Sequence, residues 1–201
     1  MFRIDTALFV MVSAAIAAVM LPEPVLAQQP PDARDYRVVA TSKTSTMQKE
    51  MNEAADGGYR FEKTMGGSSM FGGSEVISIM SKSKTGDGKA QFEYRLLATS
   101  KTGTMQKELQ EAGDAGFEYR DQTVFGSTFG GDEVVVILER DRETAAKRYE
   151  YKLLSTNKTS TMQKELQEVG EAGFTFVGVT VSKTAFGGKE LVTILRRPVT
   201  P

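Results

Sequence analysis

The residues best placed to do chemistry come in threes. Thr41-Ser-Lys-Thr-Ser-Thr46 recurs over 99–104 and 156–161, so Lys43, Lys101 and Lys158, with Thr44, Thr102 and Thr159, each stand just ahead of a segment that reads as a helix. A helix N-terminus offers free amide groups and the positive end of the backbone dipole, which hold phosphate, sulfate or carboxylate. These are candidate anion-binding residues. The plainer reading of the same turn is hydroxyl capping beside a solvated lysine, because no Gly-rich P-loop spacing accompanies the Lys.

A second set is apolar. Phe71-Gly-Gly73, Phe129-Gly-Gly131 and Phe186-Gly-Gly188 recur with Met65, Met70 and Phe125 nearby. Glycines supply the positive φ of a wide turn, and each Phe then folds back onto its own core. Alternatively Phe71, Phe129 and Phe186 form a contact loop for a protein, peptide or glycan, since apolar tips of loops usually serve binding.

Catalysis has little to work with. The chain has no His and no Cys, so the usual general base, thiol nucleophile and transition-metal ligands are missing. Asp56, Asp114 and Glu171 recur near helix ends, and Glu75, Glu133 and Glu190 open the last strands, but single carboxylates at repeated positions are not the facing pair a glycosidase needs. The sequence predicts a non-enzymatic protein without cofactor or metal, and a carboxylate-dependent hydrolase ranks third among the functions considered.

All of these residues are positioned by one pattern used three times. Tyr36, Tyr94 and Tyr151 follow one another at 58 and 57 residues, and each precedes its Phe-Gly-Gly by 35, so the single-residue difference falls in a connector. Such a period means one supersecondary unit repeated. The unit begins with a strand, at Tyr36-Arg-Val-Val, Tyr94-Arg-Leu-Leu and Tyr151-Lys-Leu-Leu. A helix follows, because Met47, Met51, Ala54 and Gly58 step by 4, 3 and 4, as do Met105, Leu109, Ala112, Gly116 and Met162, Leu166, Val169, Gly173. Ser45 and Ser160, three before Gln48 and Gln163, have capping-box spacing, with Gly103 at the middle copy. Gly58, Gly116 and Gly173, each followed by an aromatic residue, read as left-handed C-caps.

A hairpin completes the unit. Its first strand opens at Tyr59-Arg-Phe61, Phe117-Glu-Tyr119 and Phe174-Thr-Phe176, and its second, typified by Val134-Val-Val-Ile-Leu138, is apolar on both faces and so belongs in the centre. The expected fold is α+β: three tandem βαββ modules, each an antiparallel three-stranded sheet of order 1-3-2 with one helix on a face. The modules span 35–80, 92–140 and 149–201 (the last with a short tail), joined by a flexible linker at 81–91 and a stiffer one at 141–148. One helix covers one face, yet the central strand is apolar on both, so something must cover the other. A unit this small is marginal alone. The open faces or edge strands are expected to meet each other or a second subunit, which makes oligomerisation an expectation too.

Residues 1–27 read as an export signal, with Arg3, an apolar run from Ala7 to Leu21 and a small-residue exit at Val25-Leu26-Ala27. The run is shorter than the ~20 apolar residues of a spanning helix, so no membrane anchor is expected after cleavage, and Gln28 in a chain without Cys excludes a lipidated terminus. Residues 28–34 look like a disordered lead-in. Arg3, Asp5 and Glu23 are the charges of the signal, so the rest of a chain of net charge −1 is formally neutral. Neutrality and export both speak against nucleic acid as partner.

At the third copy Glu150-Tyr-Lys-Leu-Leu154, Glu171-Ala-Gly-Phe-Thr-Phe-Val177 and Ile194-Leu-Arg-Arg-Pro198 resemble a small bacterial family of uncharacterised Tyr-Lys-Val-Val / Gly-Trp-Glu-Leu-Val modules, a domain of unknown function. The likeness extends to the other copies. It implies the strand, helix, strand, strand order and supplies no catalytic or ligand-binding residues. The expected function is an interaction or ligand-binding scaffold in the periplasm or outside the cell, with an unknown protein or small ligand of the cell envelope as partner. The alternative is an anion or small-molecule binder using the turns before the helices.

Overall fold

The computed structural model describes residues 33–68, 74–86, 88–89, 91–126, 132–145, 147–183 and 189–199. Each module has the expected order. Module 1 runs β1 (Arg34–Thr41), α1 (Thr44–Asp56), β2 (Arg60–Ser68), β3 (Ser74–Ser83). Module 2 runs β4 (Phe92–Thr99), α2 (Thr102–Asp114), β5 (Glu118–Gly126), β6 (Asp132–Asp141), and module 3 runs β7 (Tyr149–Thr156), α3 (Thr159–Glu171), β8 (Thr175–Lys183), β9 (Lys189–Pro198). The sheets are β1-β3-β2, β4-β6-β5 and β7-β9-β8, antiparallel throughout, with the most apolar strand in the centre. Each second strand carries a bulge at the same place, between Phe61 and Lys63, Tyr119 and Asp121, and Phe176 and Gly178.

The strands reach further than the sequence suggests. Arg34 of the supposed lead-in starts β1, and β3 continues through 81–83 of the supposed linker. Their residues pair as Arg34 with Ser83 and Tyr36 with Ser81, so the ladder extends as long as a partner strand is opposite. Arg142–Ala145 of the second connector is irregular rather than helical, although its composition favours helix.

The helix starts also differ from expectation. Lys43, Lys101 and Lys158 occupy the N-cap positions with extended backbone and no side-chain cap bond, so neither Ser45 nor Ser160 forms a capping box. The turn is instead closed one step earlier, where the amides of Lys43, Lys101 and Lys158 donate to Thr41, Thr99 and Thr156 Oγ1 at 3.1, 3.0 and 3.2 Å. The C-terminal ends match the reading. Gly58, Gly116 and Gly173 have φ of 83°, 84° and 84°, and the amides of Tyr59, Phe117 and Phe174 bond back to Ala54, Ala112 and Val169. A basic residue of the last strand then stacks on that aromatic ring and donates to the helix-end carbonyl: Lys82, Arg140 and Arg197 in the three copies.

Asp32–Pro201 is one compact unit, built as alternating layers of sheet and helix. In β6, Val134, Val136 and Leu138 face α2 of their own module, in a cluster with Met105, Leu109 and Ala112. Val135 and Ile137 face the other way, into a cluster with Met47, Met51 and Ala55 of α1. The same division holds at the next junction, where Val192 and Ile194 of β9 join the cluster that contains Leu109. Each of α1 and α2 therefore lies between its own sheet and the sheet of the following module. This is the cover for the second sheet face that the apolar pattern requires, and it comes from within the chain.

Candidate functional site

The contacts between modules define the surface chemistry of the stack. On one helical stripe beside the buried methionines, Gln48 and Asn52 of α1 reach the free edge of β4. The Leu96 amide donates to Gln48 Oε1 at 2.8 Å, the Tyr94 amide donates to Asn52 Oδ1 at 2.9 Å, and Asn52 Nδ2 donates to the Tyr94 carbonyl at 2.9 Å. Gln106 and Gln110 of α2 repeat this on β7: the Leu153 amide donates to Gln106 Oε1 at 2.7 Å, the Tyr151 amide donates to Gln110 Oε1 at 3.1 Å, and Gln106 Nε2 donates to the Tyr151 carbonyl at 2.9 Å. Side-chain amides thus stand in for a missing strand. An edge that would otherwise offer unpaired backbone groups is satisfied.

A tyrosine locks each junction. The Tyr94 hydroxyl accepts from the Phe61 amide at 2.7 Å and donates to Glu139 at 2.8 Å, and Glu139 also takes Arg60 at 2.9 Å. The Tyr151 hydroxyl accepts from the Tyr119 amide at 2.7 Å and donates to the Phe117 carbonyl at 3.0 Å. At the far edge the Thr64 and Gly66 amides donate to Asp121 and Thr123. Arg142 and Arg148 of the second connector pair with Asp56 and Asp114, so two of the recurrent carboxylates serve as structural ties.

Removing the Tyr94 hydroxyl leaves the buried Phe61 amide without its acceptor and takes one donor from buried Glu139, which keeps Arg60. We expect Tyr94→Phe to cost about 1–3 kcal/mol in chemical denaturation, and Tyr36→Phe, at a ring 63% exposed, to cost almost nothing. Equal losses would mean that the junction bonds do not matter. Burial, the largest cause, raises the pKa of Tyr94, Tyr119 and Tyr151, the last to about 12 from 10.0. The folded protein thus keeps phenolic protons that the unfolded chain releases above pH 10. Stability conferred this way is complete below pH 10 and declines as pH climbs toward 12. Denaturation midpoints should hold from pH 7 to 9 and fall beyond 10; a flat profile to pH 11.5 would contradict the buried phenols.

The comparison with known proteins supplies no relative. No family model, no curated protein and no solved structure matches this chain.

Of the residues singled out in the sequence, Lys43, Lys101 and Lys158 are exposed, one at the head of each helix, and the three turns belong to separate modules. Thr44, Thr102 and Thr159 are the first residues of those helices. Thr44 and Ser45 line a cleft shared with Gln48, Arg95 and Glu108, so polar groups of the next module stand beside the first of these turns. If the turns serve only as caps, phosphate at low millimolar concentration should shift the melting temperature no more than chloride of equal ionic strength. A phosphate-selective rise that Lys101→Ala abolishes would favour the anion reading over plain capping. Phe71, Phe129 and Phe186 lie outside the described residues. Met65 beside the first of these loops is 69% exposed, whereas Phe125 packs partly buried against the first junction.

Exposed apolar side chains gather elsewhere. Tyr36, Val38, Met65 and Ile77 are 63%, 62%, 69% and 39% exposed on the face of sheet β1-β3-β2 that points away from α1. Phe176, Val179 and Val181 are 53%, 50% and 55% exposed on β8. They occupy the β8 positions that correspond to Phe61, Thr64 and Gly66 of β2, the ones turned toward the following module. Apart from Val199, these are the exposed large hydrophobics among the described residues. The sequence did not reveal them, because Tyr36 and Val38 look the same as Tyr94 and Leu96, which are covered. The available signal was the second helical stripe: an amide pair four apart followed by a small residue, Gln48/Asn52/Ala55, Gln106/Gln110/Gly113 and Gln163/Gln167/Gly170.

Proposed function

We propose that this chain is an exported, non-enzymatic repeat scaffold that works by binding protein partners through the two apolar ends of its stack. The observation that carries the reading is that, among the described residues and apart from Val199, the exposed large apolar side chains lie at those ends. Repeat proteins that must remain inert carry polar outer faces on their terminal repeats, and contiguous exposed apolar surface marks interaction sites. The flanks are polar by contrast, with Lys49–Glu53, Lys107–Glu111 and Lys164–Glu168 pairs along the outer side of each helix. Export is supported by the apolar run from Ala7 to Leu21 ahead of Ala27, and no helix among the described residues is long and apolar enough to cross a membrane.

Photo-crosslinking in the producing cell tests this reading. A photoreactive side chain placed at Val38 or at Val179 should give protein adducts, and one placed at Lys107 on the polar helix face should not. Adducts no more frequent at the ends than at Lys107 would rule the reading out.

A further inference from the structure

The two open ends are the two halves of the junction already used twice inside the chain. On the first end, Tyr36 stands where Tyr94 and Tyr151 stand, Val38 where Leu96 and Leu153 stand, and Ile77 where Val135 and Val192 stand. β1 has one buried residue, Val39, whereas its counterpart β7 buries Tyr149, Tyr151 and Leu154. On the other end, α3 presents Gln163 and Gln167 to solvent, at the positions where Gln106 and Gln110 grip β7. Gly170 has open space where a side chain would project, while its counterpart Gly113 lies against the Tyr149 carbonyl. Phe176 holds the place of Phe61 and Tyr119, whose amides donate to the junction tyrosines.

We propose that the occupant of each end is a second copy of this chain: α3 and β8 of one molecule dock on the outer face of β1-β3-β2 of the next, head to tail. This rests on the reading of the ends as binding surfaces and names their partner. The geometry follows by continuity. Gln163 bonds the Val38 amide and the Tyr36 carbonyl, Gln167 bonds the Tyr36 amide, and the Tyr36 hydroxyl accepts from the Phe176 amide and donates to the Phe174 carbonyl. The contact joins two different surfaces, so it leaves one free end on each side and builds either a closed ring or an open filament rather than a symmetric dimer. Charge does not oppose it. Arg60 meets Glu139 at the first junction and Glu118 meets Arg196 at the second, whereas the intermolecular junction places Thr175 opposite Ser81, a neutral pair.

Sedimentation of residues 28–201, which keep the whole compact unit, tests the proposal together with two charge variants. Val38→Asp spoils the first end and Val179→Asp the second, both at exposed positions, and an unchanged melting temperature in dilute solution verifies their folds. Gln167→Lys on the exposed face of α3 is a second disabled tail. The parent should gain mass with concentration beyond a dimer or settle as a ring. Each variant alone should associate more than about tenfold more weakly, since docking would bury an unpaired charge. Mixed, Val38→Asp and Val179→Asp should form a 1:1 dimer, because each supplies the end the other lacks. A parent that stays monomeric overturns the proposal, whether the residues before 33 or another protein occupy the face. A variant that dimerises with itself as strongly as the parent overturns it too. If crosslinks at Val38 or Val179 lead to a different protein while the parent stays monomeric, self-assembly fails and the interaction reading survives.

Discussion

Gly113→Val is expected to destabilise the protein by about 3 kcal/mol or more, the upper range for forcing volume into a packed interface. Gly113 sits in α2 where the helix crosses β7, and a Cβ there would overlap the Tyr149 carbonyl oxygen and crowd the Tyr151 ring. The backbone of β7 cannot yield without breaking the bonds of Gln106 and Gln110 to the same strand. Gly170, its counterpart in α3, meets nothing within 4 Å, so Gly170→Ala should stabilise the monomer by up to about 1 kcal/mol through helix propensity alone. Ala55 occupies the equivalent site of α1 at the first junction, which shows that the position takes a methyl group where the spacing allows. Urea denaturation of the two glycine variants in dilute solution separates the cases. Similar behaviour at 113 and 170 would mean that α2 and β7 are not in close contact.

The middle module alone, residues 92–140, is expected not to fold as a soluble monomer. Ordering its residues costs roughly 1.5 kcal/mol each, which a core this small nearly fails to offset. Isolation also strips both of its apolar covers. Val135 and Ile137 lose α1, while Phe117 and Tyr119 lose Tyr149 and Tyr151. The Leu96 amide loses Gln48, and Asp121 loses the Thr64 amide. The fragment should show disordered far-ultraviolet dichroism or aggregate, and a cooperative, monomeric transition would sink this expectation.

The module itself was legible because its signals are local. Period, strand alternation, the Met-Leu stripe and the C-cap glycines each reflect the geometry of one element, and together they give the 1-3-2 sheet. Val134–Leu138 even announced that a second cover was needed. What covers it was not legible, since Gln48, Asn52, Gln106 and Gln110 look like ordinary solvated helix positions until the edge of the next sheet is beside them. Gln48 was instead open to misreading as half of a capping box. The ends were hidden for the opposite reason: Tyr36 and Tyr151 are one residue type in one local pattern, and whether another layer precedes them is a matter of position in the stack. Nothing in Tyr36-Arg-Val-Val says that its layer comes first.

Hydrogen exchange resolved to single amides, in dilute solution, tests the layered stack most directly. Tyr94, Leu96, Tyr151 and Leu153 lie on strand edges whose amides are held only by the preceding helix, whereas among the described residues no side chain reaches those of Tyr36 and Val38. The stack predicts slow exchange at the first four and fast exchange at the last two. If all six exchange at the same fast rate, the modules do not clasp one another and the account is wrong.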